Sequence, residues 1–275
     1  LNAARHFRLE DEIGSIAPGR KADILLVPDL TEMRPSRVYF DGRLVAEQGA
    51  LLEPCQAADY PEWILHTVHL KRPITPASFR KETGAAGDRV RVNVIDLIDR
   101  QIINRRLVTE LPCANGEILP DISRDIAKLA VVERYGKTGG VGIGFVRGFG
   151  LKKGALAYST SHDHHNIVTV GADDADMALA VNTVVEMQGG LAVVCGGEVL
   201  AKMCLPIGGL MSTKPAEEVM AEQDAMNEAA RQLGCVGSAP FMTLSFISLP
   251  TVPELGLTDL GLIDVLEHKL IPLEC

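Results

Sequence analysis

The chain has 275 residues, 47% of them hydrophobic and 23% charged, and a formal net charge of -9. That length can bury a sizeable core in one large domain or two smaller ones, while the acidic balance, with no basic patch, argues against a nucleic-acid partner. No apolar run is long enough to cross a bilayer and no signal peptide opens the chain, so a cytoplasmic protein without a membrane partner is expected.

Aromatic residues are scarce, at 4%, which leaves the aliphatic side chains and 26 glycines to fill the interior. Six cysteines (Cys55, Cys113, Cys195, Cys204, Cys235, Cys275) are scattered with no Cys-x-x-Cys pair, so reduced and mostly buried thiols are expected rather than a zinc ribbon or redox motif. The first residue is Leu1, and the opening residues read as the middle of a longer element, so further sequence is expected upstream.

In chain order, residues 1–57 read as a small β-unit with too little sequence to close a core alone. Pro18-Gly19 marks a turn, Asp23–Val27 a short strand and Arg37–Phe40 another. Asp41-Gly42 is a type I′ hairpin signal, with Arg43–Ala46 as the returning strand. Residues 58–90 read as a linker, with prolines at 61, 73 and 76 and the run Gly84-Ala-Ala-Gly87. One short helix is expected there, around Glu62–His69. His66 and His69 would share its face, but no carboxylate or cysteine joins them at ligand spacing, so a surface pair is the better reading.

From residue 91 the pattern is denser. Strands are expected at Val90–Ile95, Lys128–Glu133, Val141–Val146, Gly154–Tyr158 and Asn166–Val170. Asp173-Asp-Ala-Asp176 should cap a helix over Met177–Met187, its acids at the end the helix dipole favours. Gly189-Gly190 stops it, and a hairpin follows around Gly196-Gly197. A second helix should begin near Ser212–Glu217, with Pro215 in its first turn, and end at Gly234. Phe241–Leu249 reads as a strand. Strands and helices mix without a βαβ repeat, so the expected class is α+β: a small β-sandwich remnant followed by a mixed α/β C-terminal domain over residues 91–275.

Two motifs invite chemistry. Gly139-Gly-Val-Gly-Ile-Gly144 fits no nucleotide-loop register and runs on into a strand, so a place where backbones or a ligand approach closely is the stronger reading. The stretch "YSTSHDHHNIVTVG", residues 158–171, holds three of the seven histidines within four residues. His162-Asp-His-His165 admits three readings: a solvated strand end, a metal site begun by His162 and His164, or a proton-shuttling group with Asp163 as partner. If the segment continues a strand, Asp163 and His165 face one side, His162 and His164 the other.

Longer stretches carry a resemblance. "IGSIAPGRKADILLVPDL" and "FDGRLVAEQG" resemble the tail of metal-dependent amidohydrolases, which completes a small β-sandwich beside a (β/α)8 barrel. "STSHDHHNIVTVGADDADMALAVNTVVEMQGG" and "GEVLAKMCLPIGGLMS" resemble the C-terminal domain of bacterial-type adenine deaminases. The resemblance covers essentially the whole chain, with one departure, since the family pattern places serine where this chain has His164.

The resemblance implies hydrolytic deamination of adenine to hypoxanthine and ammonia, in purine salvage or catabolism, by a homo-oligomeric enzyme. It implies a binuclear manganese or iron centre held by a barrel that this chain lacks, with no metal ligand in the chain itself. The missing N-terminal barrel portion is then a partner, adenine the substrate, and the chain alone inactive. The competing class is a non-catalytic assembly or small-molecule-binding module. Within the chain the resemblance points to His162, Asp163 and His165 as catalytic candidates and to Ser161 and Asn166 as substrate contacts. This implies a strand end facing the barrel mouth, with a buried His–Asp pair and His164 the dispensable member.

Overall fold

The computed structural model describes residues 1–53, 58–85 and 87–275, and the chain divides into two units, Leu1–Asp59 and Tyr60–Cys275. The boundary expected at residue 57, together with Cys55 and Ala86, lies outside the described residues. The first unit opens with a short helix, α1 (Asn2–His6). An antiparallel meander of four strands follows: β1 (Ile24–Leu26), β2 (Arg37–Phe40), β3 (Arg43–Glu47) and β4 (Ala50–Leu51). Asp41 and Gly42 both adopt positive φ, 48° and 75°, as a type I′ turn requires. The Asp23 carboxylate accepts the Asp41 amide at 2.8 Å and ties β1 to that turn. Among its described residues only Ala4 contributes an apolar side chain to the buried set, in keeping with a unit too short to build its own core.

The second unit begins with α2 (Glu62–Leu65) and a 3-10 turn at Pro76–Phe79. Its strands are β5 (Arg89–Leu97), β6 (Asn104–Ala114), β7 (Glu117–Ile118), β8 (Ile126–Val132), β9 (Val141–Arg147), β10 (Ala155–Tyr158), β11 (Ile167–Gly171), β12 (Gly190–Cys195) and β13 (Glu198–Cys204). They form one nine-stranded sheet in the order β13-β12-β10-β11-β8-β9-β5-β6-β7, with β5 and β9 parallel and the other described pairs antiparallel. Helix α3 (Asp174–Glu186) covers one face. Helices α4 (Ala216–Gln232) and α5 (Pro240–Ile247) lie over the other, with a three-stranded sheet of β14 (Leu255–Thr258), β15 (Gly261–Asp264) and β16 (Lys269–Ile271). The class is α+β.

Strand β8 shows why the sheet reads as unbroken apolar sequence. All seven residues are buried, with Leu129 and Val131 entering the cluster that contains α4 and α5, and Ala130 and Val132 the cluster that contains α3. Coverage of both faces removes the need for polar alternation. Lys128 interrupts this run at 1% exposure, and its ammonium reaches the Phe79 carbonyl (3.1 Å), Glu117 (3.1 Å) and Asp174 (2.6 Å). A charge so placed is tolerable only because each of its donors finds an acceptor.

The glycine-rich run 139–144 is a close approach of backbones, as its sequence suggests. A Cβ on Gly142 would stand 1.8 Å from the Thr258 carbonyl oxygen, because β14 and the turn after it pack directly on β9. At the other end of the sheet Asp173 caps α3 through the amides of Ala175 and Asp176. The Asp176 carboxylate then accepts the amides of Gly196 and Gly197 in the β12–β13 turn, both at 2.8 Å.

Two expectations are corrected, and one strand, β6, has no counterpart among those expected from the sequence. Phe241–Leu249 is helix α5 and its following turn, not a strand. Its buried positions 241, 244, 245 and 248, with 242 and 243 exposed, follow helical spacing, and Pro240 occupies the first turn. Strand β6 carries no clean apolar pattern because only β7, two residues long, pairs beyond it. Pro112 stands near its end, where little hydrogen bonding is lost. Finally, the stretch from residue 60 is no free linker: Val68, Ile74 and Phe79 are buried in the α3 cluster, and Lys128 bonds the Phe79 carbonyl. Helix α2 stops at Leu65, so His66 and His69 share no helical face. His66 bonds Glu62 at 2.8 Å at the surface, and the His69 amide donates to the Arg134 carbonyl.

A chain trimmed to begin at Tyr60 is therefore expected to keep a cooperative melt. One trimmed to begin at residue 91 should melt several degrees lower or unfold, since it loses Phe79, wholly buried, from the sheet face. Equal melting temperatures for the two trimmed chains would refute this account of residues 60–90.

Candidate functional site

The histidine-rich segment is the connection between β10 and β11, and it does not continue a strand. Strand β10 ends at Tyr158 and β11 begins at Ile167, with a tight turn between them in which the His165 amide donates to the Ser161 carbonyl at 2.7 Å. His165 has φ of 50°. The expected alternation of side chains therefore does not apply. The turn brings the His162 and His165 rings together at 6.2 Å between centroids, and the His162 ring lies 4.6 Å from that of Phe246 on α5. Asp163 is exposed, so the expected buried His–Asp pair is not formed.

Each remaining member has a defined environment. His164 Nδ1 accepts the Asn166 amide at 3.1 Å, and its Nε2 faces the Ser161 hydroxyl at 3.5 Å. An acceptor role for Nδ1 requires the neutral ring, and burial pushes the His164 pKa down to about 4. The His165 pKa is lowered as well, first by burial and then by the Arg134 guanidinium and His162. Its Nδ1 is buried with no hydrogen-bond partner. The ring is thus held neutral near pH 7, with one ring nitrogen unengaged among the described residues.

Ser161 and Asn166, expected as substrate contacts, lie in the supporting network. The Ser161 hydroxyl is fully buried and 2.6 Å from that of Ser248. Asn166 accepts the Arg134 amide at 3.3 Å and donates to Asp259 at 3.1 Å.

The residues that hold this turn come from three other connections at the same end of the sheet. After β8, Glu133 is 4% exposed, and its carboxylate accepts the amides of Tyr135 (2.6 Å), Lys137 (3.1 Å), Thr138 (3.1 Å) and Gly139 (3.0 Å). Burial alone would raise its pKa, but these four N–H groups outweigh burial and hold it below the usual carboxylate value. Arg134, at 2% exposure, donates from Nε to the His165 carbonyl and from Nη2 to the Gly208 carbonyl at 3.0 Å. Asp259 belongs to the β14–β15 turn, and Ser248 follows α5. The only sequence signal for Glu133-Arg134-Tyr135 is three polar residues placed directly after a seven-residue buried run.

This arrangement does not make a metal centre. Among the described residues no group of three or more His, Cys, Asp or Glu side chains stands where it would hold an ion. His164, half of the candidate His-x-His pair, has its Nδ1 already committed to a backbone amide. Nor is any helix among the described residues long and apolar enough to cross a membrane. The thiols Cys113, Cys195, Cys204, Cys235 and Cys275 are free, but of these only Cys235 is buried, which corrects the expectation of mostly buried thiols; burial pushes the Cys235 thiol up to about 12.

His164 also makes stability depend on pH. An unfolded His164 takes up a proton near pH 6.5 and the folded one only near 4, so acid favours the unfolded chain. The contribution is complete above pH 6.5 and is lost as the pH falls towards 4, to a total of roughly 3 kcal/mol. Urea unfolding at pH 7.5 and 4.5 should therefore show His164→Ser losing less stability in acid than the parent. An acid-induced loss of equal size in both proteins would rule this out.

Comparison with known proteins gives the family. Residues 101–269 match the family model described as the adenine deaminase C-terminal domain, and residues 1–45 match the amidohydrolase family. Over 99% of its length the chain is 54% identical to an adenine deaminase of Desulforamulus reducens and 46% identical to one of Moorella thermoacetica. It is 41% identical over the same share to one of Clostridium botulinum. It spans about half the length of these relatives, 46%, 46% and 45%. A match over more than half of the chain, together with these identities, places it plainly: the chain belongs to the adenine deaminase C-terminal domain family.

Proposed function

We propose that this chain is the C-terminal portion of an enzyme that hydrolyses adenine to hypoxanthine and ammonia, and that it is inactive without the barrel portion. The observation that carries this reading is the family match over residues 101–269, with near-complete coverage of the chain by relatives named adenine deaminase. The amidohydrolase match at residues 1–45 supports a metal-dependent hydrolase. In this reading manganese or iron is held by the barrel, where it supplies the activated water.

The chain's own contribution is proton handling and positioning at the β10–β11 turn. Deamination must deliver a proton to the departing amino group and take one from the attacking water. His165 suits that exchange: its ring is neutral near pH 7 and its Nδ1 has no partner among the described residues. His162 beside it and Asp163 at the surface complete the proposed catalytic group, and His164 keeps a structural part.

Two measurements test this. Residues 1–275, shown free of any barrel portion, should release no ammonia from adenine, while the protein that includes the barrel does. Enzyme-like turnover by the shorter chain would overturn the division of labour. In the longer protein His165→Ala should lower turnover roughly 100-fold, and His164→Ser should keep most of it. Should alanine at His162, Asp163 and His165 each leave turnover at the parental rate, the turn has no catalytic part.

A further inference from the structure

Arg134 and Tyr135 hold consecutive carbonyls of the histidine turn. The Arg134 guanidinium donates from Nε to the His165 carbonyl, and the Tyr135 hydroxyl donates to the His164 carbonyl at 2.7 Å. Arg134 Nη2 reaches across to the Gly208 carbonyl at 3.0 Å, and the Arg134 amide donates to the Asn166 side chain at 3.3 Å. The loop that follows β13 is shaped to admit the guanidinium. A Cβ on Gly209, where φ is 73°, would stand 1.9 Å from Arg134 Nη1.

The charge of Arg134 is unusually placed. Among the described residues its side-chain hydrogen bonds go to carbonyl oxygens and none to a carboxylate, and Nη1 is buried without a partner. Among the described residues the neighbouring Glu133 makes no hydrogen bond or ion pair with it; both Glu133 oxygens accept backbone amides. A buried arginine present only for stability would ordinarily be paired with an acid. Here the forked donor instead joins two loops at fixed spacing, which a lysine, with a single ammonium, cannot reproduce.

We infer that Arg134 and Tyr135 are positioning residues for the reaction: by gripping the carbonyls of His165 and His164 they set the directions of both imidazoles. This rests on the reading that the β10–β11 turn takes part in adenine deamination. Tyr135 is 41% exposed and the hydroxyl is its only atom at issue, so its removal should leave the fold intact. Arg134 also carries the electrostatic coupling that helps hold His165 neutral.

The test uses the protein that includes its barrel portion. Arg134→Lys and Tyr135→Phe are compared with the parent for kcat and KM with adenine, and for the histidine ring signals in ¹H–¹⁵N spectra. Arg134→Lys should lower kcat by roughly 10- to 100-fold and Tyr135→Phe by roughly 3- to 10-fold, with KM within about threefold. In both variants the ring signals of His164 and His165 should move, while those of His66 and His268, outside the turn, stay in place. Unchanged kcat in Tyr135→Phe, or a fall in kcat with the His164 and His165 signals unmoved, would overturn the inference. If Arg134→Lys does not fold, Tyr135→Phe decides alone. If the parent itself releases no ammonia from adenine, the functional reading fails, and the ring signals still decide whether these residues orient the turn.

Discussion

The covering of the large sheet on both faces is the constraint from which most of this structure follows. A strand such as β8, buried along its whole length, leaves no solvent-facing side on which to place charge. Polar groups must either bring partners inside or wait for the strand ends. Lys128 takes the first course, with Glu117, Asp174 and the Phe79 carbonyl gathered from three separate segments. Glu133 and Arg134 take the second, and the connections at that end of the sheet are organised around them.

The same constraint makes the end of the sheet a place where chemistry is practicable. Backbone amides and carbonyls left over at strand ends have to be satisfied, and here they are used to fix side chains. Four amides immobilise Glu133, and two carbonyls of the histidine turn are held by Arg134 and Tyr135. The result separates neighbouring histidines by environment: His164 is tied to the backbone, while His165 keeps an unengaged ring nitrogen. Two adjacent residues of one type thereby acquire different environments.

Local chemistry in the sequence was readable wherever it alone decides the backbone. The Asp41-Gly42 turn, the Asp173 cap and the Gly196-Gly197 hairpin are of that kind, because their residues favour those conformations in any context. Residues 162–166 stand out by histidine density, but the turn they form was not readable, since its partners Arg134 and Asp259 lie 31 and 93 residues away. Arg134 and Asp259 meet the segment only once the sheets have packed. Helix α5 was hidden for a related reason: in Phe241–Leu249 the buried side includes Ser245 and Ser248 while Met242 is exposed, so hydrophobicity alone does not show the helical period that burial reveals after packing. Strand β6 escaped notice because a strand near the sheet edge has no need of an apolar pattern.

The link between Asp176 and the β12–β13 turn has a consequence for local opening. Amides of a glycine turn ordinarily exchange with solvent almost freely, but those of Gly196 and Gly197 are closed by a carboxylate in the first turn of α3. Fraying of that helix end and release of the hairpin are thus a single event. The segment from residue 173 to 204 should behave in hydrogen exchange as one cooperative unit, with the two glycine amides reporting the opening of a helix some twenty residues away from them.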